Sequence, residues 1–462
     1  MTRIDHRCCV SEATRRIFVA SVVSLVCTAV STAQDRRGEP NAPPQGSAAQ
    51  RILPLPDYNG DLVERRYLSG DWNEARAELA RDGFQVAAQW CQYAQGVATG
   101  GVDRETLAGG SLDVRIDLDL TRMGVLPGAL VKLRTESRYG ESANGFAGAI
   151  LPVNTDLFFP LTRDLDDDII LTVTDLAFTQ FVTDHVALFL GKIDTLDRDP
   201  NEFASGRGVS QFMNGNFVFS SAIARLPYSS LGGGLLWLPA GDVTVTSSIV
   251  NTVDSSTTTG FDDFGDGLTW TTEADFQYRL GELPGGQNVG FLYAFDQDFT
   301  QFGGRFVFQP GQGIVVPTQD DTWAFYWSGW QYLSAEGQAP KNVDLADGRA
   351  DMQGVGVFAR VGFADEDTNP VEVAISGGIG GRGVIPRRDD DTFGVGYYYS
   401  RLQSTRLTGL VGLTEHVQGF EAYYDFALTP ATHLTLDAQV VEPVDTTFDT
   451  AVVVGARFGV MF

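Results

Sequence analysis

Apolar and polar residues alternate with a period of two along most of the chain after residue 84. In 112–120, Leu112, Val114, Ile116, Leu118 and Leu120 share one face, and Asp113, Arg115, Asp117 and Asp119 share the other. After a turn through Pro127-Gly128, the apolar face holds Val131, Leu133 and Tyr139, and the polar face holds Lys132, Arg134, Glu136 and Arg138. This alternation predicts β-strands with one apolar and one polar face.

The same period recurs to the end of the chain. It is found at 270–280, with a turn at 281–286 and a return strand at 289–295, and again at 355–363, 371–379, 420–428, 434–440 and 451–462. Strands of this kind joined by short turns on one side are typical of a transmembrane β-barrel, and the span allows about 16 of them at about 24 residues each. We therefore predict an all-β fold, with an antiparallel outer-membrane barrel over 84–462.

A soluble β-sandwich would also alternate, but most of its aromatic residues would lie between its two sheets. Here aromatic residues cluster near predicted strand ends, at Phe158-Phe159, at Tyr397 to Tyr399 and at Tyr423-Tyr424, as an interfacial girdle requires. After residue 84 no apolar run is long enough for a spanning helix. The barrel is therefore the favoured prediction.

The N-terminal region divides into three segments. Residues 1–33 are typical of a secretory signal peptide, with Arg15-Arg16 before an apolar core at 17–30 and a small-residue cleavage site at 31–33. Residues 34–66 form a Pro-rich tether. We therefore expect export and residence in the outer membrane.

Residues 67–83 predict a short helix that packs against the barrel. Asp71 is the expected N-cap and Gly83 the expected C-cap. Helical spacing places Trp72, Ala75 and Leu79 on one face, which is the predicted packing face.

Charge and cysteine content narrow the function. The formal net charge is −26, with only 33 basic residues against 59 acidic ones, which argues against nucleic acid as a partner. Of the four cysteines, only Cys91 follows the signal peptide, so no internal disulfide is expected. We expect Cys91 to be a packed side chain.

Signals of catalysis are weak. The four histidines are scattered, and neither a nucleophile elbow nor a P-loop is present. Residues 378–383 match the bare GxGxxG pattern, but no helix is predicted after them, so we interpret the glycines as a turn or as close packing at the wall. The paired Asp117 and Asp119 fit a hydrated lumen better than a glycosidase pair. We predict no enzyme, no cofactor and no metal site.

The polar faces of the strands carry the functional prediction. Arg115, Lys132, Arg134 and Arg138 alternate with Asp117, Asp119 and Glu136 on two adjacent strands. Mixed charge of this kind suits neutral polyhydroxylated solutes, which exchange water for side chains without binding too tightly to leave. Trp323, Trp327 and Trp330 are candidates for sugar stacking, although Trp330 differs from the other two in strand parity.

Several connections are rich in aspartate. They are 139–169, with Asp164 and Asp166 to Asp168; 252–268, with Asp262, Asp263 and Asp266; and 387–391, which reads RRDDD. In a barrel we expect these to be external or pore-folded loops. A solvated loop is favoured over a divalent-cation site.

Segments in four regions resemble the carbohydrate-selective porin family, the OprB-like porins. They are YLSGDWNEARAELARDGFQV (67–86), GKIDTLDRDPNEFASGRGVSQFMNGNF (191–217), NPVEVAISGGIGGRGVIPRRDDDTFGVGYYYS (369–400) and 421–458 from EAYYDFALTP to AVVVGARF. The resemblance implies a 16-stranded outer-membrane channel for sugars, without catalysis or cofactor. Arg382, which lies between glycines at a family position, is the strongest single candidate for the narrowest ring.

Two interpretations of the channel's selectivity stay open at this point. One is a porin for passive, carbohydrate-selective diffusion of mono- and oligosaccharides into the periplasm. The other is a general or carboxylate-selective porin, in which Arg115, Lys132, Arg134 and Arg138 form a basic ladder. The expected partners are sugars as solutes, outer-membrane lipid and the outer-membrane assembly machinery through the strand ending in Phe462. Homo-oligomerisation, the preferred sugar and the role of 34–66 are left open.

Overall fold

The computed structural model describes residues 53–162, 168–196, 199–302, 307–309, 313–315, 317–336, 352–403 and 412–462. The predicted signal peptide, residues 34–52 of the tether, Asp164, Asp166 and Asp167 lie outside the described residues. The described part is a closed barrel of 16 antiparallel strands, as predicted. Its first and last strands pair with each other and close the sheet.

The sixteen barrel strands are β1 to β9 and β12 to β18, and each pairs with the barrel strand before it and the barrel strand after it. Their bounds are β1 Phe84–Thr99, β2 Thr106–Asp119, β3 Ala129–Gly140, β4 Ile169–Phe181, β5 Val186–Asp194, β6 Ser229–Ala240, β7 Val243–Asn251, β8 Leu268–Leu280, β9 Leu283–Thr300, β12 Thr318–Glu336, β13 Gln353–Ala364, β14 Val371–Arg382, β15 Thr392–Leu402, β16 His416–Thr429, β17 Thr432–Val441 and β18 Ala451–Met461. A separate hairpin consists of β10 Val307–Gln309 and β11 Gly313–Val315.

Long connections lie at one end of the barrel and short turns mostly at the other. The long ones include 141–168, 195–228 and 252–267, and the short ones include 182–185, 241–242 and 281–282. In outer-membrane barrels long loops face outward and short turns face the periplasm, so we call these the extracellular and periplasmic ends.

Two loop predictions are corrected. Residues 387–391 belong to the connection between β14 and β15 at the periplasmic end, so they are neither an external nor a pore-folded loop. The turn predicted at 281–286 spans only 281–282, because the extended backbone of β9 already begins at Leu283. Among the residues that the structure describes, no helix has the length and apolar character to cross a membrane.

The N-terminal segment, residues 53–83, packs on the periplasmic rim. It contains helix α1, Ala75–Arg81, whose N-cap position is Glu74 and not Asp71 as predicted. Asp71 lies before the helix, and its Oδ1 atom accepts a hydrogen bond from the Ala77 amide at 2.7 Å. The buried face consists of Arg76 and Ala80, whereas Trp72, Ala75 and Leu79 are exposed. The predicted packing face was therefore wrong, because the residue that makes the contacts is an arginine.

Arg76 fastens this segment to the seam of the barrel. Its Nη2 atom donates to the carbonyls of Val86, at 2.5 Å, and Phe462, at 3.0 Å. The guanidinium lies 4.0 Å from the ring centroid of Tyr58 and 4.6 Å from that of Tyr67. Burial lowers the pKa of Arg76, while the neighbouring tyrosines raise it. The contact links the N-terminal segment to both strands that close the barrel.

The core of the molecule lies inside the barrel. Residues 195–228, here called the constriction loop, connect β5 to β6 and fold into the lumen, where they include the short helix α2, Gly215–Val218. Phe203, Phe212 and Phe217 of this loop pack against Tyr398 and Tyr423 of the wall. These two tyrosines are buried inside, so they do not belong to the interfacial girdle predicted from their position near strand ends.

Glycines in the wall make room for the aromatic side chains of the constriction loop. A Cβ atom on Gly380 would lie 2.9 Å from Cβ of Phe203, and one on Gly396 would lie 2.5 Å from Cε1 of Phe217. Gly380 belongs to the 378–383 GxGxxG match, and its strand β14 leads into β15 with no helix between them. We therefore interpret the GxGxxG match as glycines that allow close packing at the barrel wall.

Candidate functional site

The constriction loop divides the lumen and leaves a charged cavity of about 350 Å³ beside β2 and β3. Three predicted site residues, Arg115, Lys132 and Arg134, line it from the wall. From the other side it is lined by the constriction loop, including Asp199 and Arg207. At the periplasmic side Tyr67 and Met461 complete the lining, which also includes Asp113.

Strand pairing brings the three basic wall residues together. Arg115 is directly opposite Arg134, and Asp117 is directly opposite Lys132, so all four side chains share the inner face. Two arginines in register would repel each other, but each pairs with a different carboxylate. Arg115 Nε lies 2.8 Å from Asp117 Oδ2, and Arg134 Nη1 lies 3.1 Å from Asp194 Oδ2. Lys132 Nζ lies 2.9 Å from Asp175 Oδ2.

Arg207 places a fourth positive charge at the cavity from the constriction loop. It bridges Asp194 Oδ2 and Glu136 Oε1, each at 2.8 Å. The Tyr228 hydroxyl also donates to Glu136, at 2.6 Å to Oε2. Glu136 therefore does not face the cavity as a free carboxylate: it is buried and holds the constriction loop to β3.

Further contacts hold the constriction loop on the opposite side of the barrel. Arg360 of β13 donates to the carbonyl of Phe217 at 2.5 Å and also bonds Asp199 and the carbonyl of Ala204. Arg457 of β18 donates to the carbonyl of Gly208 at 2.5 Å. The constriction loop is thus fixed to several strands, and these contacts determine the size of the cavity.

Glu421 of β16 holds the middle of the constriction loop. Its carboxylate oxygens accept the backbone amides of Met213, at 2.6 Å, and Asn214, at 3.0 Å. The Asn214 side chain in turn donates to Gln439 on β17 at 3.0 Å. Buried amides without a partner are costly, so these bonds make one position of the loop strongly preferred.

The loop that connects β3 to β4 supports the site from behind the wall strands and the constriction loop. Arg138 donates to the carbonyl of Leu157 at 2.9 Å and to the Thr162 hydroxyl at 2.8 Å, so it supports this loop and is absent from the cavity lining. Asp156 of the same loop accepts the Tyr93 hydroxyl at 2.7 Å. Burial raises the pKa of Asp156, and its hydrogen bonds from Ser111 and Tyr93 oppose that shift.

Two other predicted site residues lie at the periplasmic rim. Asp119 accepts the amides of Thr121 and Arg122 at 3.0 and 3.1 Å, so it stabilises the turn after β2. Arg382, at the end of β14, pairs with Asp390 of the following turn. Neither residue lines the cavity, so the structure places them apart from Arg115, Lys132 and Arg134.

The three tryptophans do not form one stacking track, which corrects that prediction. Trp323 is 41% exposed on the outer face of β12, and Trp327 shares this face. Trp330 points inward, where it packs edge-on against Phe203 and Tyr332. The difference in parity already present in the sequence accounts for this division.

The sequence did not identify Arg207, Asp194 or Asp199. Arg207 and Asp199 lie in a loop without a hydrophobic period, so no pattern places their side chains in the lumen. Asp194 is the last residue of β5 and is nearly fully buried. The one available signal was the length of the connection from β5 to β6, which exceeds that of the other connections at this end.

Within the described ranges, no group of three or more His, Cys, Asp or Glu residues is arranged to hold a metal ion. Cys91 is fully buried, and its thiol lies 4.0 Å from the carbonyl of Val209 in the constriction loop. It is therefore a packed side chain.

Comparison with known proteins agrees with this geometry. A family model described as "Carbohydrate-selective porin, OprB family" matches residues 104–462. A structure of Pseudomonas putida OprB at high pH aligns with a TM-score of 0.71 at 19% identity, over 87% of this chain and 100% of that chain. The low-pH structure of the same protein aligns with a TM-score of 0.55 at 14% identity, over 87% and 99%. No curated protein sequence matches the chain.

A closed 16-stranded barrel with a charged, loop-narrowed lumen defines an outer-membrane channel. The chain belongs to the carbohydrate-selective porin family, the OprB family. It is an outer-membrane porin for carbohydrates.

Proposed function

We propose that the cavity between β2, β3 and the constriction loop is the place where the channel selects sugars, and that mono- and oligosaccharides diffuse through it. Arg115, Lys132, Arg134 and Arg207 provide hydrogen-bond donors to sugar hydroxyls, and Asp113 and Asp199 provide acceptors. Arg138, Asp117 and Glu136 act indirectly, by holding these groups or the loops around them. Arg382 and the three tryptophans are not part of this site.

The observation that carries the proposal is the ion pairing of the four lining cations. Each guanidinium or ammonium group is bound to a carboxylate within 3.1 Å, yet each also faces the cavity. Such a group can donate a spare N–H to a hydroxyl without holding the solute by a net charge. A cavity of about 350 Å³ is also of the size that accepts a small organic molecule.

Uptake into liposomes tests this function. Proteoliposomes with the full-length mature protein are given glucose, maltose and maltotriose, and the rate is compared with that of a non-sugar solute of similar size. We expect faster, saturable uptake of the sugars, because the cavity replaces their water of hydration. Rates that depend on solute size alone, without saturation, would instead identify a general porin.

We infer that residues 1–33 direct export and are removed, and that 34–66 tether the barrel on the periplasmic side. Phe462, whose amide donates to the Ala88 carbonyl at 2.7 Å, ends the strand that the assembly machinery recognises. Assembly into homo-oligomers is compatible with the apolar outer face. The fold and family are those of channels, and we assign the chain no catalytic activity.

A further inference from the structure

The extracellular end of the barrel carries a large excess of carboxylates. In the described parts of its loops outside the constriction loop, Arg104 is the sole basic residue. The acidic residues there include Asp262, Asp263, Asp266, Asp365, Glu366 and Asp367. The sequence of the remaining loop residues adds three arginines (163, 305 and 406) and three aspartates (164, 166 and 167), which leaves the excess unchanged.

The strand ends at this mouth are acidic as well. Asp296 and Asp298 are exposed near the end of β9, and Asp320 is exposed near the start of β12, which pairs with β9. A mouth lined by charges of one sign raises the local concentration of ions of the opposite sign. Solutes entering from outside therefore meet a negative potential before they reach the cavity.

Inside the cavity the positive groups are already neutralised. Arg115, Lys132, Arg134 and Arg207 each bind a carboxylate of the wall, and two of these cations share Asp194. An entering anion would meet the repulsion of these carboxylates together with the attraction of the cations, so the paired groups offer it little net attraction.

One negative group at the cavity is only partly satisfied. Asp199 pairs with Arg360 through Oδ2, but its buried Oδ1 atom has no hydrogen-bond partner among the residues that the structure describes. Asp199 lines the cavity from the constriction loop. The carboxylate of Asp199 attracts a solute that brings a strong cationic donor, such as an ammonium group, and repels one that brings a carboxylate or phosphate.

From these observations we propose that the channel selects by charge. It admits neutral sugars and sugars with a protonated amine, and it excludes sugars with a carboxylate or phosphate group. The proposed selection of cations over anions is independent of the proposed function, whereas the proposed selection among sugars rests on it. The proposal also separates this protein from the carboxylate-selective alternative. Of the basic ladder on which that alternative depends, Arg115, Lys132 and Arg134 are paired with carboxylates, and Arg138 supports the loop between β3 and β4.

The first experiment measures the reversal potential of the full-length mature protein in a neutral-lipid bilayer under a KCl gradient. At about 0.1 M salt we expect K⁺ to permeate on the order of two to five times faster than Cl⁻. The ratio should move toward one near 1 M salt, where the screening length falls to about 3 Å. A reversal potential of zero, or one that favours Cl⁻, would overturn the proposal.

A charge variant tests the source of the selectivity. Asp262→Asn/Asp263→Asn/Asp266→Asn removes three charges from the mouth, and Asp57→Asn/Glu64→Gln/Glu78→Gln removes three exposed charges at the periplasmic end. We expect the first variant to lower the K⁺/Cl⁻ permeability ratio by about half and the second to change it much less. Equal effects of both variants would refute the role of the extracellular mouth.

The second experiment compares glucose, glucosamine and glucuronate in proteoliposomes at low salt. We expect glucosamine to enter at least as fast as glucose, and glucuronate about tenfold more slowly. Glucuronate entering as fast as glucose would overturn the sugar part. If no sugar enters although the channel prefers K⁺, then the proposed function fails and the ionic selectivity remains.

Discussion

Arg207 Nη1 lies 2.8 Å from Asp194 Oδ2, and this contact joins the constriction loop to the wall beside the cavity. Asp194 also binds Arg134 on the other side, so one carboxylate connects two cations of the lining. The position of the constriction loop and the charge of the wall are therefore coupled. A change in Arg207 should affect both the stability of the protein and the channel.

We expect Arg207→Gln to destabilise the protein by about 3 kcal/mol, because it leaves Asp194 and Glu136 buried with one cation fewer. The measurement is urea unfolding in lipid vesicles, together with single-channel recording, in which the loosened loop should give a noisier open current. The control is Arg401→Gln, which breaks an exposed pair with Glu372 and should cost less than about 1 kcal/mol. Similar losses in both variants would contradict the assignment of Arg207.

The glycines of the wall provide a second prediction. An alanine at Gly396 would place its Cβ 2.5 Å from the buried ring of Phe217, so Gly396→Ala should cost about 1–3 kcal/mol of stability. At Gly241 a new Cβ would have no atom within 4 Å, and Gly241→Ala should be neutral or slightly stabilising. Unfolding midpoints of the two variants check this, and a fully stable Gly396→Ala protein would contradict the packing described.

The contacts of α1 provide a third prediction. Arg76→Ala removes the bonds to Val86 and Phe462, so the N-terminal segment should detach from the rim and be cleaved faster by trypsin. Leu79→Ala is the matched control, because Leu79 is 40% exposed. We expect its cleavage rate to equal that of the wild type. Faster cleavage of Leu79→Ala than of Arg76→Ala would instead support the packing face predicted from helical spacing.

The tryptophans provide a fourth prediction. Trp323→Ala and Trp327→Ala should leave the affinity of the channel for sugars within about twofold of the wild type, because both side chains lie on the outer face. Sugar-dependent block of the current checks this. A loss of block in either variant would mean that the outer-face assignment is wrong.

The sequence predicted the barrel well because strand alternation is a local signal that each strand repeats. The inner faces of β2 and β3 could be read in this way, and Arg115, Lys132 and Arg134 do line one cavity. The same signal cannot show how deep a residue lies along its strand. Asp119 and Arg382 have the right parity, but each lies at a periplasmic end and binds a turn.

The interior was less predictable for a different reason. The constriction loop is held by long-range contacts, such as those of Arg360 with Ala204 and of Arg457 with Gly208, which join residues far apart in the chain. Aromatic residues raised a similar difficulty, because Tyr398 and Tyr423 lie near strand ends but pack against the constriction loop and not at the membrane interface. The position of the constriction loop and the burial of these tyrosines both depend on a loop whose sequence has no hydrophobic period.

The most direct test of the account is maltose block of single channels in the wild type, Arg134→Gln and Arg382→Gln. If the sugar passes the cavity beside β2 and β3, then Arg134→Gln should weaken block by about tenfold through loss of a charged hydrogen-bond donor. Arg382→Gln, which alters the pair with Asp390 at the rim, should block like the wild type. Loss of block in Arg382→Gln with normal block in Arg134→Gln would contradict the account.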